Sequence, residues 1–177
     1  MSPALFQFCP FNEDHAREML SWRYPPPYEI YNAPAPESRT AIEHLLQSEI
    51  PYVTVLDEHG EMIAFRCFGR EAQVPDGDYS EPALDLGGGL RPDLTGKGLG
   101  RHVIAAAMNY GFLRFSPSYF RSTVASFNLR AKKTCEQLGY RLVRTFTRLS
   151  DGLPFEIMMQ EARMTALTIP VSDLRAS

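Results

Sequence analysis

A cluster of glycines behind an apolar run limits the folding of this chain more than any other feature. Six glycines fall within residues 87–100, after the run "ALDL" and before the helix-like run "HVIAAAMNYGFL". Glycines crowded at such a junction allow a tight backbone turn or the close approach of a ligand. The pattern therefore predicts a strand, a glycine-rich turn, and a helix whose first free N–H groups point back into the turn.

Such a turn is suited to binding an anion, and phosphate is the usual one. Free amides at a helix start and the helix dipole both stabilise a nearby negative charge. Two common phosphate loops do not fit. The nucleotide-triphosphate loop fails because Gly98 follows Lys97 and Arg91 stands at its first glycine, and the dinucleotide loop fails because Val103 stands at its third. Anion binding remains the interpretation, with a purely structural turn as the alternative.

Composition excludes several classes of protein. The 177 residues fit one domain, and a net charge of -3 with scattered basic residues argues against a nucleic acid or a membrane surface as the partner. Three separated cysteines without a C-x-x-C pair suit a reducing compartment, and neither they nor the four histidines have metal-ligand spacing. With no signal peptide and no long apolar run, the expected location is the cytoplasm, and no metal is expected.

Hydrophobic periodicity predicts the order β-α-α-β-β-β-α-β-α-β-β, an α/β (α+β) chain with a mixed sheet. The last two helices are expected at residues 97–113 and 128–138. Proline and tyrosine in "RYPPPYEIYNAPAP" predict a formed surface loop between the first two helices. One domain is expected over residues 1–163, followed by a tail or partner contact at 164–177.

Two motifs on this framework resemble the GNAT superfamily, the acyl-CoA-dependent N-acetyltransferases. The segment "GLRPDLTGKGLGR" is similar to the family's pyrophosphate loop, with "TGKGLG" at its Q/R-x-x-G-x-G/A core. The segment "NLRAKKTCEQLGY" is similar to a second family segment, in which an asparagine and an alanine precede a helix that ends in Leu-Gly-Phe/Tyr. The resemblance implies a mixed central sheet with a splayed strand pair, helices on both faces, and acetyl-CoA as cosubstrate. The residues implied for its binding are Leu90, Thr95, Gly96, Lys97, Gly98, Leu99, Gly100, Arg101, Asn128 and Ala131.

The resemblance also implies direct transfer, in which a neutral amine attacks the thioester and a backbone N–H stabilises the oxyanion. Leu90, which follows three glycines, is the predicted catalytic donor. Asp85 is the predicted base, with a salt-bridged strand residue as the equal alternative, and Glu81 is held in reserve as a substrate contact. The acidic residues at 71–85 either attract a cationic amine or form a solvated loop.

Cys135 stands where many family members have a tyrosine that protonates the departing thiolate. A buried structural cysteine is the preferred interpretation of Cys135. The proton then comes from water or from a tyrosine, with Tyr24, Tyr28, Tyr31 and Tyr79 as candidates, or CoA leaves without a dedicated acid. Trp22, Tyr28 and Tyr31 are predicted to contact the acceptor, with a packed covering loop as the alternative.

Together these features predict an N-acetyltransferase that acts on a primary amine carried by a small molecule. A protein N-terminal or lysine acetyltransferase is the alternative within the same chemistry. A non-catalytic acyl-CoA sensor is the alternative from another class, and the cysteine at position 135 favours it. The sequence permits a homodimer without requiring one.

Overall fold

The computed structural model describes residues 6–33 and 38–165 of the chain, and its helices and strands follow the predicted order. They are β1 (Gln7–Pro10), α1 (Glu13–Ser21), α2 (Arg39–Leu46), β2 (Val53–Leu56), β3 (Met62–Phe68), β4 (Leu84–Leu90), α3 (Leu99–Phe115), β5 (Tyr119–Ala125), α4 (Leu129–Gln137), β6 (Arg141–Thr147) and β7 (Pro154–Glu161). The mixed α/β class is therefore confirmed.

The seven strands form one sheet in the order β1-β2-β3-β4-β5-β7-β6. Every neighbouring pair is antiparallel except β4 and β5, which are parallel. These two strands pair only where Leu84 meets Phe120 and Asp85 meets Arg121, and they diverge toward their carboxyl ends. This divergence is the splayed strand pair that the resemblance implied, and it opens a gap in the middle of the sheet.

Helices cover both faces of the sheet. Ala64 of β3 packs with α3 residues such as Val103, and Phe68 packs with Met108. Side chains alternate along a strand, so Phe65 and Cys67 face the other way and pack with α1 and α2. The two faces of β3 therefore belong to two different helical layers.

The helix starts differ in how their free N–H groups are used. Asn12, Ser38 and Asn128 cap α1, α2 and α4 with side-chain oxygens. Helix α3 instead has Gly98 at its N-cap position, in the left-handed conformation with φ 81°, and receives no side-chain cap. It starts two residues later than predicted because Gly96 and Gly98 both have positive φ, which a helix cannot include. Its first N–H groups are left for another partner.

The predicted tail at 164–177 lies outside the described residues beyond Thr165. The N–H of Thr165 donates to Asn109 Oδ1 at 2.8 Å, so the chain is still attached to α3 at that point. Within the described part of the chain, no helix has the length and apolar character needed to cross a membrane.

Candidate functional site

A cleft of about 1400 Å³ opens where β4 and β5 diverge. Its walls come from the end of β4, the glycine turn with the start of α3, the start of α4, and the loop after α1. All ten residues predicted to bind the cosubstrate line this cleft: Leu90, Thr95, Gly96, Lys97, Gly98, Leu99, Gly100, Arg101, Asn128 and Ala131. Two sequence motifs about 30 residues apart are therefore walls of the same cavity.

The glycine turn presents an open surface to the cleft. No atom lies within 4 Å of a Cβ placed on Gly98 or on Gly100, so nothing in the described chain covers the start of α3. The uncapped N–H groups of the helix are accessible there. A helix N-terminus of this kind hydrogen-bonds and electrostatically stabilises an anion.

Backbone N–H groups of β4 also point into the gap. The N–H of Arg91 donates to Ile63 O at 2.8 Å, which makes this pair a hydrogen-bonded pair of the antiparallel ladder. Such pairs alternate with non-hydrogen-bonded ones, so the N–H of Leu90 is directed away from β3. The N–H of Gly88 is directed away from β3 for the same reason. It is a second potential donor, and it was not predicted from the sequence.

Glycine is required at position 88 for steric reasons. Its φ is 134°, and a Cβ there would lie 2.2 Å from Phe65 O and 2.9 Å from Arg66 Cδ. No side chain fits so close to the neighbouring strand. The missing side chain allows β4 to pair closely with β3 at this position.

The cleft is lined by cations. Arg66, Lys97, Arg101, Arg130 and Lys133 line it, whereas no aspartate or glutamate is found among its described lining residues. The guanidinium of Arg130 lies 4.0 Å from the ring centre of Tyr28, and its Nη1 is 3.4 Å from a Cβ placed on Gly96. Three of these cations were missed because they are scattered along the sequence and meet only in the fold.

Asp85 does not lie in the cleft. Arg121 Nε and Nη2 donate to its two carboxylate oxygens at 2.6 and 2.7 Å, and Gln73 Nε2 donates at 2.8 Å. Asp85 does share a face with Gly87, but the 3₁₀ turn Gly69–Ala72 covers that face. With Asp85 only 2% exposed, this geometry contradicts its predicted role as the base and fits the salt-bridged alternative.

The other acidic residues at 71–85 are also engaged elsewhere. Glu71 accepts from the Tyr52 hydroxyl at 3.2 Å, and Asp78 pairs with Arg144. Glu81 is outside the cleft lining, and its carbonyl accepts from Arg121 Nη1 at 2.8 Å. The predicted role of Glu81 as a reserve base and substrate contact therefore has no support in the structure.

The aromatic residues after α1 form the remaining wall. Trp22, Tyr24, Tyr28 and Tyr31 all line the cleft, whereas Tyr79 does not. Trp22 packs on Phe65 with 5.9 Å between ring centres, and the Tyr31 hydroxyl accepts from Asn128 Nδ2 at 3.1 Å. The wall is thus attached to β3 on one side and to α4 on the other.

Two lining residues carry acidic protons close to the gap. The Tyr24 hydroxyl donates to Leu90 O at 2.8 Å, and burial raises the pKa of Tyr24 to about 12. Cys135 is 3% exposed, and burial raises the pKa of its thiol to about 11. Both groups stay protonated at neutral pH, and both are weak acids.

No three His, Cys, Asp or Glu residues of the described chain are grouped to hold a metal ion.

Comparisons with known proteins bear on the fold. No protein-family model and no curated protein sequence matches this chain. A chimera of the Vibrio cholerae spermidine N-acetyltransferase SpeG and hSSAT is 17% identical over 89% of this chain and 95% of its own, with a TM-score of 0.70. A protein of Acinetobacter baylyi ADP1 assigned as an acetyltransferase is 18% identical over 89% and 93%, with a TM-score of 0.62. A protein of Bordetella pertussis assigned to the GnaT family is 17% identical over 67% and 70%, with a TM-score of 0.54. The chain therefore has the GNAT fold.

Proposed function

We propose that the protein is an acyltransferase that moves an acetyl group from acetyl-CoA directly to a primary amine. The observation that carries this proposal is the cleft at the splayed strands, which combines an uncapped helix start with five cationic side chains and no described carboxylate. Coenzyme A is an elongated ligand with a pyrophosphate and a further phosphate. Both its shape and its charge fit this cleft.

Each part of the cleft has a role in holding the cosubstrate. The pyrophosphate accepts from the N–H groups at the start of α3, near Lys97 and Arg101. Asn128 and Ala131, on the opposite wall, contact the pantetheine arm. The thioester lies in the gap, where the N–H of Leu90 or Gly88 is free to bind its carbonyl oxygen.

The reaction follows from this arrangement. The amine attacks the thioester carbonyl, a C–N bond forms, and the resulting oxyanion is stabilised by the backbone N–H of β4. The C–S bond then breaks and CoA leaves. Because no described carboxylate lines the cleft, the proton of the amine passes to water, and amines with a larger neutral fraction at the working pH react faster.

The aromatic wall of Trp22, Tyr28 and Tyr31 is the acceptor side. The described lining offers no carboxylate to pair with the charges of a polyamine, so the spermidine acceptor named for the Vibrio enzyme is not transferred to this chain. The proposed acceptor is a small primary amine without further positive charge, and a peptide amine is the second candidate within the same chemistry. A non-catalytic acyl-CoA sensor is the second candidate function. The absence of a carboxylate from the described cleft lining and the cysteine at position 135 support it.

Titration calorimetry with acetyl-CoA tests the donor site. Gly98→Trp would place a side chain in the open space at the start of α3, and Gly60→Trp is the matched control. Gly60 has φ 80° and equally open space, but it lies in the turn between β2 and β3. We expect micromolar binding by the wild type and by Gly60→Trp, and at least 100-fold weaker binding by Gly98→Trp. Equal affinity in all three proteins would refute the donor site.

Release of the CoA thiol in the presence of an amine panel separates the enzyme from the sensor. A transferase releases thiol at a rate that depends on the amine and on its neutral fraction. Binding of acetyl-CoA without release by any small amine or peptide would favour the sensor. Faster release with di- and polyamines than with neutral-tailed amines would contradict the proposed acceptor class.

A further inference from the structure

Arg66 differs from the other cations of the cleft because it is buried. It is 5% exposed, whereas Lys97, Arg101, Arg130 and Lys133 are exposed. Its Nε is buried without a hydrogen-bond partner, and no hydrogen bond or ion pair to its guanidinium occurs within the described residues. The other buried arginine, Arg121, has both carboxylate oxygens of Asp85 as partners. A guanidinium buried without a counterion is costly, so a site that retains one is expected to receive an anion.

The position of Arg66 places that anion at the reacting end of the ligand. Arg66 is opposite Gly88 in the β3–β4 register, and its Cδ lies 2.9 Å from a Cβ placed on Gly88. This is the part of β4 whose N–H groups open into the gap. The four exposed cations surround the glycine turn and the start of α4, where they match the phosphates of CoA. Arg66 is not matched to a phosphate in this arrangement.

The face of β3 assigns Arg66 to the donor rather than to the acceptor. Arg66 alternates with Phe65, and Phe65 packs against Trp22 of the aromatic wall. Arg66 therefore points to the layer of α3 and α4, where the CoA-binding residues lie.

This inference rests on the proposed function. We propose that Arg66 pairs with the sulfur of CoA as the C–S bond breaks, so that the leaving group departs as a thiolate stabilised by charge. The electron pair of the C–S bond stays on sulfur, the acyl carbon keeps its new bond to nitrogen, and the ammonium proton goes to water. The thiolate later takes a proton from water and CoA leaves as the thiol. No oxidant, reductant or further reactant is needed.

The groups around Arg66 make proton transfer to the sulfur less favourable than charge pairing. The titratable groups that interact electrostatically with its guanidinium are Cys135, Tyr140 and Tyr24, together with Cys67 on the opposite face of β3. Burial raises the pKa of all four, so none is a ready proton donor to a departing thiolate. The permanent charge of Arg66 is the remaining stabilising group among them. Its attraction grows as charge develops on sulfur, which is the condition for accelerating a reaction.

The test compares the affinities of CoA and desulfo-CoA, which lacks the thiol, between pH 6.5 and pH 9. An alkyl thiol has a pKa of about 8.5, and a lowering by one unit in the complex makes CoA about fivefold tighter, relative to desulfo-CoA, at pH 8.5 and about eightfold tighter at pH 9. We expect the affinity ratio to rise about sevenfold over this range in the wild type. Arg66→Met should leave the ratio flat, whereas Arg66→Lys should retain part of the rise. The kcat with acetyl-CoA should fall at least tenfold in Arg66→Met, with little change in KM for acetyl-CoA.

Arg130→Met is the matched control, since it removes an exposed cation from the same cleft. It should weaken CoA and desulfo-CoA equally and keep the pH-dependent ratio. If the wild type binds both ligands but the ratio of their affinities does not change with pH, the proposed role of Arg66 is overturned and the proposed function is not. Failure of both ligands to bind would overturn the proposed function instead. A third outcome is that succinyl-CoA binds tenfold more tightly than acetyl-CoA to the wild type but not to Arg66→Met. This result would assign the guanidinium to an acyl carboxylate and would also overturn its proposed pairing with the thiolate.

Discussion

At the scale of single residues, Asp85 and Arg121 form a buried pair whose loss should affect stability before chemistry. Their side chains are 4% and 3% exposed, and removing one partner of such a pair leaves a buried charge unmatched. We expect Asp85→Asn to lower the free energy of unfolding by about 3 kcal/mol, measured by urea denaturation. The affinity for acetyl-CoA should stay within about twofold of the wild type, since neither residue lines the cleft.

The matched control for this prediction is Glu43→Gln. Glu43 pairs with Arg39 across one turn of α2, and both side chains are exposed. Exposed helical pairs contribute about 0.3–0.5 kcal/mol, so this variant should be close to the wild type. If Asp85→Asn were as stable as the wild type but had lost turnover, Asp85 would again be the candidate base.

Gly88 offers a second prediction about a single residue. An alanine there must adopt φ 134° and would bring its Cβ within 2.2 Å of Phe65 O. We expect Gly88→Ala to cost at least about 2 kcal/mol of unfolding free energy, again by urea denaturation. Gly100→Ala is the control, because Gly100 lies in α3 with open space around it and should be neutral or gain up to about 1 kcal/mol. Equal effects of the two substitutions would contradict the backbone geometry of β4.

At the scale of elements, the start of α4 joins the donor and acceptor sides of the cleft through Asn128. Its Oδ1 accepts from the N–H of Ala131 at 3.1 Å, and its Nδ2 donates to the Tyr31 hydroxyl at 3.1 Å. Asn128→Asp keeps the cap and loses the donor, whereas Asn128→Ala loses both. We expect Asn128→Ala to cost about 1 kcal/mol in urea denaturation and Asn128→Asp to cost much less.

The same pair of variants tests how the walls are joined. Asn128→Ala should loosen Tyr31, because it leaves no partner for the Tyr31 hydroxyl, whereas the carboxylate introduced by Asn128→Asp can accept from that hydroxyl. Amine KM should therefore rise in Asn128→Ala and stay close to the wild type in Asn128→Asp. An unchanged amine KM in Asn128→Ala would show that the bond between Asn128 and Tyr31 does not position the acceptor wall.

The sequence was sufficient for features that depend on near neighbours. Periodicity and turn residues predicted the order of the α-helices and strands in the described part of the chain, and the shared face of Asp85 and Gly87 followed from strand alternation. What covers that face could not be predicted, because it depends on how the turn at Gly69–Ala72 packs in the folded chain. The isolation of Arg66 likewise depends on how β3, β4 and α4 pack together in the folded chain. The missed features are therefore tertiary ones.

At the scale of the whole molecule, charge is separated between the surface and the cleft. The chain carries a net charge of -3, yet the described cleft lining is cationic. Five cationic side chains line the cleft without a described carboxylate, so the excess of acidic residues lies outside the cleft lining. Net charge alone is thus a poor guide to the ligand of this protein.

Burial of thiols across the core leads to a prediction about alkaline pH. Burial raises the pKa of Cys135 to about 11 and of Cys67 to about 12, from an ordinary value of 9.0. A group whose pKa is raised on folding contributes stability that is fully present below its unfolded pKa and is lost as the pH rises toward its folded pKa. The free energy of unfolding should therefore fall between pH 9 and 11, with each thiol contributing up to about 1.4 kcal/mol per pH unit.

Urea denaturation at several pH values from 7 to 11 measures this slope. Cys135→Ala should be less stable than the wild type at pH 7 because it leaves a cavity, but its stability should fall less steeply above pH 9. Cys9→Ala is the comparison, because Cys9 is only partly buried and should change the slope less. Identical slopes in the wild type and Cys135→Ala would mean that the Cys135 thiol ionises as readily in the folded protein as in the unfolded chain. In that case Cys135 would again be a candidate proton donor to the leaving thiolate, and charge pairing by Arg66 would lose one of its supports.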